Sequence, residues 1–289
     1  MHWIATLFAS ASLASAQLIA YESFSGMPTG GGISGSGVDA VGWTQSSWQG
    51  AVAPYHSIGN QAPAMTYQIA SGALLNGGDR CAIVSTAPEP TGTVRSVSRA
   101  FPTTATTAFI SLLVRPLTIG TGSDSVTLTL LGGTTELSSL TLKPNLTQTA
   151  LAVGLNNFGG NSGTYRGPIS IGNTYLITIR FSRTSERSFS IDAWVNPPRE
   201  MPSSLGVGPS SGSPAWVNVP DLNGLSLTAS STDTGGPSTT VAIDEIRVGY
   251  TWNDVVPQST TQTVVPSLSI VPAIAVNWQS KTNKSYQPQ

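Results

Sequence analysis

The sequence predicts an all-β protein built as a two-sheet antiparallel sandwich. Short β-branched runs recur at fairly regular spacing between clusters of Gly, Pro, Ser and Asn. Several of those runs alternate between apolar and polar side chains, as a strand with one buried face does. No window places apolar residues at the three-four spacing of a helix over several turns.

The expected strands are Leu18–Phe24, Cys81–Ser85, Val94–Phe101, Ala108–Arg115, Ser125–Leu131, Glu136–Leu142, Ala150–Leu155, Tyr175–Ser182, Ser188–Asn196, Leu225–Ala229 and Thr240–Val248. Such regular spacing is the signature of a sandwich or barrel. Tyr175, Ile177, Ile179 and Phe181 share one face, and after a turn at Arg183–Arg187 the residues Phe189, Ile191, Ala193 and Val195 repeat the pattern. These two strands read as an antiparallel hairpin with one buried side. Ala108–Arg115 and Ser125–Leu131, around the turn Gly120–Gly122, read as another. Gly26–Gly37 and Ser203–Ser213 are Gly/Ser/Pro-rich loops.

With 289 residues, 39% hydrophobic and only 9% charged, the chain buries a core and is not disordered. A net charge of −1 and scattered Lys and Arg exclude the electrostatic footprint of nucleic-acid binding, and disfavour anionic membrane surfaces. Cys81 is the only cysteine, so no intrachain disulfide forms, and its apolar strand neighbours make it a small buried hydrophobe. The run from Trp3 to Leu13, followed by Ala14-Ser15-Ala16, reads as an export signal (1–16) and places the mature protein outside the cell, secreted or at its surface. No later segment offers the ~20 apolar residues of a membrane-spanning helix. A sandwich domain over 17–254 is expected to be followed by a linker (255–266) and the start of a truncated second β module (267–289), as in a fragment of a longer protein.

Catalytic motifs fare poorly. Gly30-Gly-Gly-Ile-Ser-Gly35 fits a dinucleotide fingerprint in spacing but lacks the flanking strand and helix. Gly208-Pro-Ser-Ser-Gly212 fits a nucleophile elbow but lies in a Pro/Ser loop, and His56, the sole histidine after the export segment, lies upstream of it. One histidine and one cysteine do not make a zinc site. Glycoside hydrolysis needs two carboxyl groups flanking one bond. Asp192 has no acidic neighbour two or four residues away, and strand alternation sends adjacent Asp244 and Glu245 to opposite faces. The sequence therefore leads to the expectation of a non-enzyme.

Asp244, at the parity of Ile246 and Val248, is expected to point inward. A buried carboxylate there needs an Arg, backbone amides or a metal ion; calcium suits it, with Glu22 of the first strand a second ligand if the termini pair. The alternative is that Asp244 caps a turn or pairs with an Arg.

Glu22-Ser-Phe24, Gly72-Ala-Leu74 and Ile243-Asp-Glu-Ile-Arg-Val-Gly249, followed by Thr251-Trp252-Asn-Asp-Val-Val-Pro257, resemble the concanavalin A-like, laminin-G-like jelly rolls. The ending is more narrowly similar to large surface proteins of planctomycetes and verrucomicrobia, in which an immunoglobulin-like β module follows. The resemblance covers roughly residues 17–257. It implies a bacterial jelly-roll sandwich with a structural calcium at Asp244 and Glu22. The family-16 glycoside hydrolases share the scaffold, but their Glu-x-Asp motif is missing here.

Carbohydrate-binding modules offer exposed aromatics as platforms for sugar rings. Trp194, with Asp192 and Arg180 beside it, is the candidate platform; its alternative is burial beneath a long loop such as Ser203–Trp216. Trp43 and Trp48 are either loop-borne ligand contacts or seals at the end of the sandwich. The expected role is a non-catalytic, glycan-binding or adhesive module whose partners are a polysaccharide or cell-surface glycan and further β domains of the same chain. A polysaccharide-active enzyme on the same scaffold, or a structural spacer, are the alternatives.

Overall fold

The computed structural model describes residues 18–33, 35–50, 55–60, 63–69, 72, 74–86, 94–102, 106–157, 166–186, 188–202, 210–212, 219–232 and 236–256. The expected export segment lies outside them, as do the linker and second module apart from Val255 and Val256.

The early strands are β1 (Leu18–Glu22), β2 (Gln49–Gly50), β3 (His56–Asn60), β4 (Met65–Gln68), β5 (Leu74–Gly77), β6 (Arg80–Ser85) and β7 (Val94–Ala100). The long central strands follow as β8 (Thr107–Thr118), β9 (Ser125–Gly132), β10 (Thr135–Pro144), β11 (Ala150–Asn157), β12 (Arg166–Ser170), β13 (Tyr175–Ser185) and β14 (Ser188–Val195). The series ends with β15 (Ser210–Gly212), β16 (Gly224–Ser230), β17 (Thr240–Gly249) and one helical turn, α1 (Trp252–Val255).

One sheet runs β15-β14-β13-β8-β17-β6-β3, with β1 also paired to β17; the other runs β12-β11-β10-β9-β16-β7-β2. All their printed pairings are antiparallel, and the two layers make the jelly-roll sandwich. A separate hairpin, β4-β5, lies outside them. Every expected strand is present within a few residues at either end. β13 and β14 form the expected hairpin, with Arg180 opposite Asp192 and Thr178 opposite Trp194.

The second expected hairpin does not form. β8 pairs with β13 and β17, whereas β9 pairs with β10 and β16 in the opposite layer. The Gly-rich segment after β8 therefore crosses between sheets. The tight turn lies one strand later, between β9 and β10, where Gly133 adopts φ 64.

The core is the inner face of both layers. Ile177, Ile179, Phe181, Phe189 and Ile191 meet Leu128, Leu130, Leu140, Leu142, Leu225 and Leu227, each worth about 1.5–3 kcal/mol when buried. Trp43, Trp48, Phe24 and Phe101 form an aromatic cluster, with ring centroids 5.8 Å (Trp43–Trp48), 5.9 Å (Trp43–Phe101) and 6.1 Å (Phe24–Trp48) apart. Trp48 and Phe24 are buried in that contact.

Candidate functional site

The two layers treat their outer faces differently. On the β8/β13/β14/β17 layer the outward residues are apolar: Phe109, Leu113, Leu176, Trp194 and Ala242 form a second core with Met65, Ile69 and Leu75 of the β4-β5 region and with Trp252, Val255 and Val256. Arg115 ties this cover down by donating to the carbonyls of Pro63 (2.8 Å) and Ala64 (3.1 Å).

Trp194 lies within this second core. Its ring meets Trp252 edge-to-face, with centroids 5.3 Å apart at 89°, and only 7% of the residue is exposed. The expected sugar platform is thus covered, by the turn after β17. Arg180 and Asp192 do come together beside it: Arg180 pairs with the buried Asp192 and lies 5.8 Å from the Trp194 ring centre. Trp194→Ala is expected to cost about 3–5 kcal/mol in urea unfolding, as for other buried aromatics. A loss below 1 kcal/mol would show that the cover contributes little.

The motif Gly249-x-Thr-Trp-x-Asp is explained by the same turn. Trp252 stacks over Trp194 and Phe109, and its indole N–H donates to the Arg199 carbonyl at 2.8 Å. Asp254 accepts from the amides of Tyr250 (3.1 Å) and Thr251 (2.8 Å). A Cβ at Gly249 would collide with that of Asp254.

Asp244 and Glu22 do not meet as a ligand pair. The termini pair as required, with Glu22 opposite Ile246. Glu22 points into the core, where Arg99 of the facing layer pairs with Oε2 and the amides of Phe24 (2.8 Å) and Gly37 (2.9 Å) donate to Oε1. Burial pushes its carboxyl up, opposed by those amides and by Arg99. Asp244 faces the other way. The register between β17 and β8 shifts between Asp244 and Arg247, and Glu245 takes φ 52, a conformation that bulky L-residues seldom adopt. This bulge puts Val241 and Ile243 on the inner face before it and Ile246 and Val248 on the same face after it. Parity counted from Ile246 therefore assigns Asp244 to the wrong side.

The bulge also turns Asp244 and Glu245 to the same outer face. Glu245 accepts from the Tyr21 hydroxyl (2.5 Å) and pairs with Arg247 (2.7 Å), which lies over the Tyr21 ring. Asp244 Oδ1 accepts from the Glu245 amide at 2.8 Å, and Oδ2 is buried with no hydrogen-bond partner among the described residues. Burial first, and the Glu245 charge second, push the Asp244 carboxyl up to about 9. Gly77 of β5 presses so close that a Cβ there would overlap this carboxyl. An unpartnered buried carboxylate oxygen fits a cation; Glu22, with both oxygens engaged on the opposite face, does not. No cluster of three or more His, Cys, Asp or Glu suited to a metal occurs among the described residues.

The outer face of the β7-β16-β9-β10 layer is polar. Alternation with the inward leucines leaves two cross-strand rows of hydroxyls, Ser98-Ser226-Thr129-Ser139 and Ser96-Thr228-Thr127-Thr141. Each row crosses four strands, about 14 Å at ordinary strand spacing. At one end of these rows lies an open groove of about 340 Å³, lined by Ser125, Thr127, Ser139, Thr141 and Lys143 and by the Gly122–Asp124 turn. No aromatic side chain lines it. The sequence reading passed over this face, although the alternating hydroxyls at 125, 127 and 129 and the Ser139-x-Thr141-x-Lys143 run were visible.

No family model and no curated protein matches the chain. Among solved structures it is similar to an endo-β-1,4-glucuronan lyase from Trichoderma reesei, at 12% identity and TM-score 0.42 over 80% of this chain and 100% of that one. It is also similar to the GH131 β-glucanase catalytic domain of Podospora anserina (8%, TM-score 0.42, 73% and 88%) and to the CBM2 module of the Lactobacillus casei phage J-1 Dit protein (11%, TM-score 0.39, 82% and 96%). Catalytic domains are among the similar structures, and the bulge brings together two carboxylates that strand alternation was expected to separate. The expectation of a non-enzyme is therefore withdrawn.

Proposed function

We propose that this chain is a polysaccharide-directed jelly-roll domain that holds a glycan on the outer face of the β7-β16-β9-β10 layer. One observation carries the reading: of the two outer faces, one is sealed by the β4-β5 region and α1, while the other carries hydroxyl rows leading to an open groove. Hydroxyl side chains both donate and accept, matching the hydroxyls of a sugar. The similar lyase and β-glucanase structures favour cleavage of the bound chain over simple attachment. The export reading of residues 1–16 places this activity outside the cell, and the tail supports further β domains in the same polypeptide.

The test is a polysaccharide panel scored for retention in affinity electrophoresis, for new reducing ends and for unsaturated products. Thr127→Trp, which fills the groove, is expected to abolish retention and any product release. Retention unchanged by that substitution would remove the site.

Calcium at Asp244 belongs to the same reading, supported by the unpartnered Oδ2. Saturating calcium at about a hundred times its dissociation constant is expected to add about 2.7 kcal/mol of stability. A melting temperature indifferent to calcium and chelator would remove the ion.

A further inference from the structure

We propose that the groove beside β9 and β10 selects anionic polysaccharide, a chain bearing carboxylate or sulfate groups, through Lys143; the inference rests on the reading that this face holds a glycan. Two charged side chains line the groove, and they are placed differently. Asp124 is buried, and its Oδ2 accepts from the Thr86 hydroxyl (2.7 Å) and the Thr239 amide (2.8 Å). Its charge is thus bound into the junction between the β8-β9 crossover and the start of β17. Lys143, on the outward face of β10 near its end, is half-buried and borders the open space.

The remaining lining is hydroxyl and glycine, so the groove offers a cation with neutral hydrogen-bonding groups around it. A sugar ring here finds no aromatic face to stack on, and discrimination falls to polar contacts. A carboxylate or sulfate can reach the ammonium while neighbouring sugar hydroxyls bond Ser125, Thr127, Ser139 and Thr141. Such a charge-assisted hydrogen bond is stronger than a neutral one. A neutral glycan lacks the group that Lys143 would complement.

The experiment compares polygalacturonate, a sulfated galactan and neutral laminarin by affinity electrophoresis and calorimetry, with Lys143→Gln and Lys143→Arg beside the unaltered protein. The unaltered protein is expected to bind both anionic chains at least tenfold more tightly than laminarin, weakening as salt rises. Lys143→Gln is expected to remove most of that preference while leaving laminarin unchanged, and Lys143→Arg to restore it. Equal binding of neutral and anionic chains, with Lys143→Gln changing neither, would overturn the selectivity and leave the glycan face intact. Loss of neutral and anionic binding alike in Lys143→Gln, with its melting temperature preserved, would show a general contact and also overturn selectivity. Failure of the unaltered protein to bind any glycan would overturn the glycan face itself. Preference for polygalacturonate over the sulfated galactan, or the reverse, identifies which anionic group is recognised.

Discussion

Replacing Arg99 with methionine is expected to destabilise the fold by about 3–5 kcal/mol. Arg99 and Glu22 are both almost wholly buried, 3% and 0% exposed at the side chain, and they pair between the two layers. The single substitution leaves the Glu22 carboxylate in the core with only the Phe24 and Gly37 amides for compensation. It also removes the guanidinium 4.7 Å from the centre of the Trp43 ring, in the aromatic cluster. The double variant Glu22→Gln/Arg99→Met keeps an acceptor for both amides but removes both charges, and most of the loss is expected to return. Urea unfolding checks both variants. A single-variant loss below 1 kcal/mol would show that the pair does not help join the layers, and equal losses in single and double variants would locate the cost in packing.

The second large effect is a dependence of stability on pH set by Asp244. Its carboxyl is pushed up to about 9 in the folded protein, against 3.8 for the unperturbed group. The folded state then binds the proton more tightly than the unfolded state, so the stabilisation is complete below pH 3.8 and is lost as pH rises toward 9. By pH 7 the loss amounts to about 4 kcal/mol. His56 works in the opposite sense. Burial between the layers lowers it to about 4, with only the Leu227 carbonyl, 3.0 Å from Nε2, opposing the shift. Its stability is present above pH 6.5 and is lost as pH falls toward 4. The interval from 6.5 to 9 therefore isolates Asp244. In chelator-containing buffer, unfolding free energy is expected to fall steadily across that interval, and Asp244→Asn to flatten it. A flat profile in the unaltered protein would mean that Asp244 is ionised and paired.

Both effects rest on features that were unequally legible in the sequence. The strands were readable because inward and outward residues differ sharply in character, as in Ile177-x-Ile179-x-Phe181. Sheet membership was not, because β8 and β9 each carry an apolar face and nothing local states whether the segment between them turns back or crosses over. The short elements β2, β3 and β15 lack the apolar alternation on which strand recognition depends. Alternation also failed at Glu245, where one extra residue reverses every assignment upstream. Trp194 was placed correctly on the outer side of β14, but its cover comes from Trp252, 58 positions later, which no local pattern announces. The groove was missed for the opposite reason: Ser and Thr on an outward face look like ordinary solvated surface until their alignment across strands is known.

The place of β17 has a kinetic consequence. It lies in the middle of its sheet, with β8 on one side and β6 and β1 on the other. A nascent chain cannot zip up this layer until Gly249 has emerged from the ribosome, because earlier strands wait for a partner synthesised last. Folding dominated by such distant pairings takes on the order of milliseconds to seconds. A truncation ending before Thr240 is therefore expected to leave both flanking edges open and to yield aggregates in place of a smaller sandwich.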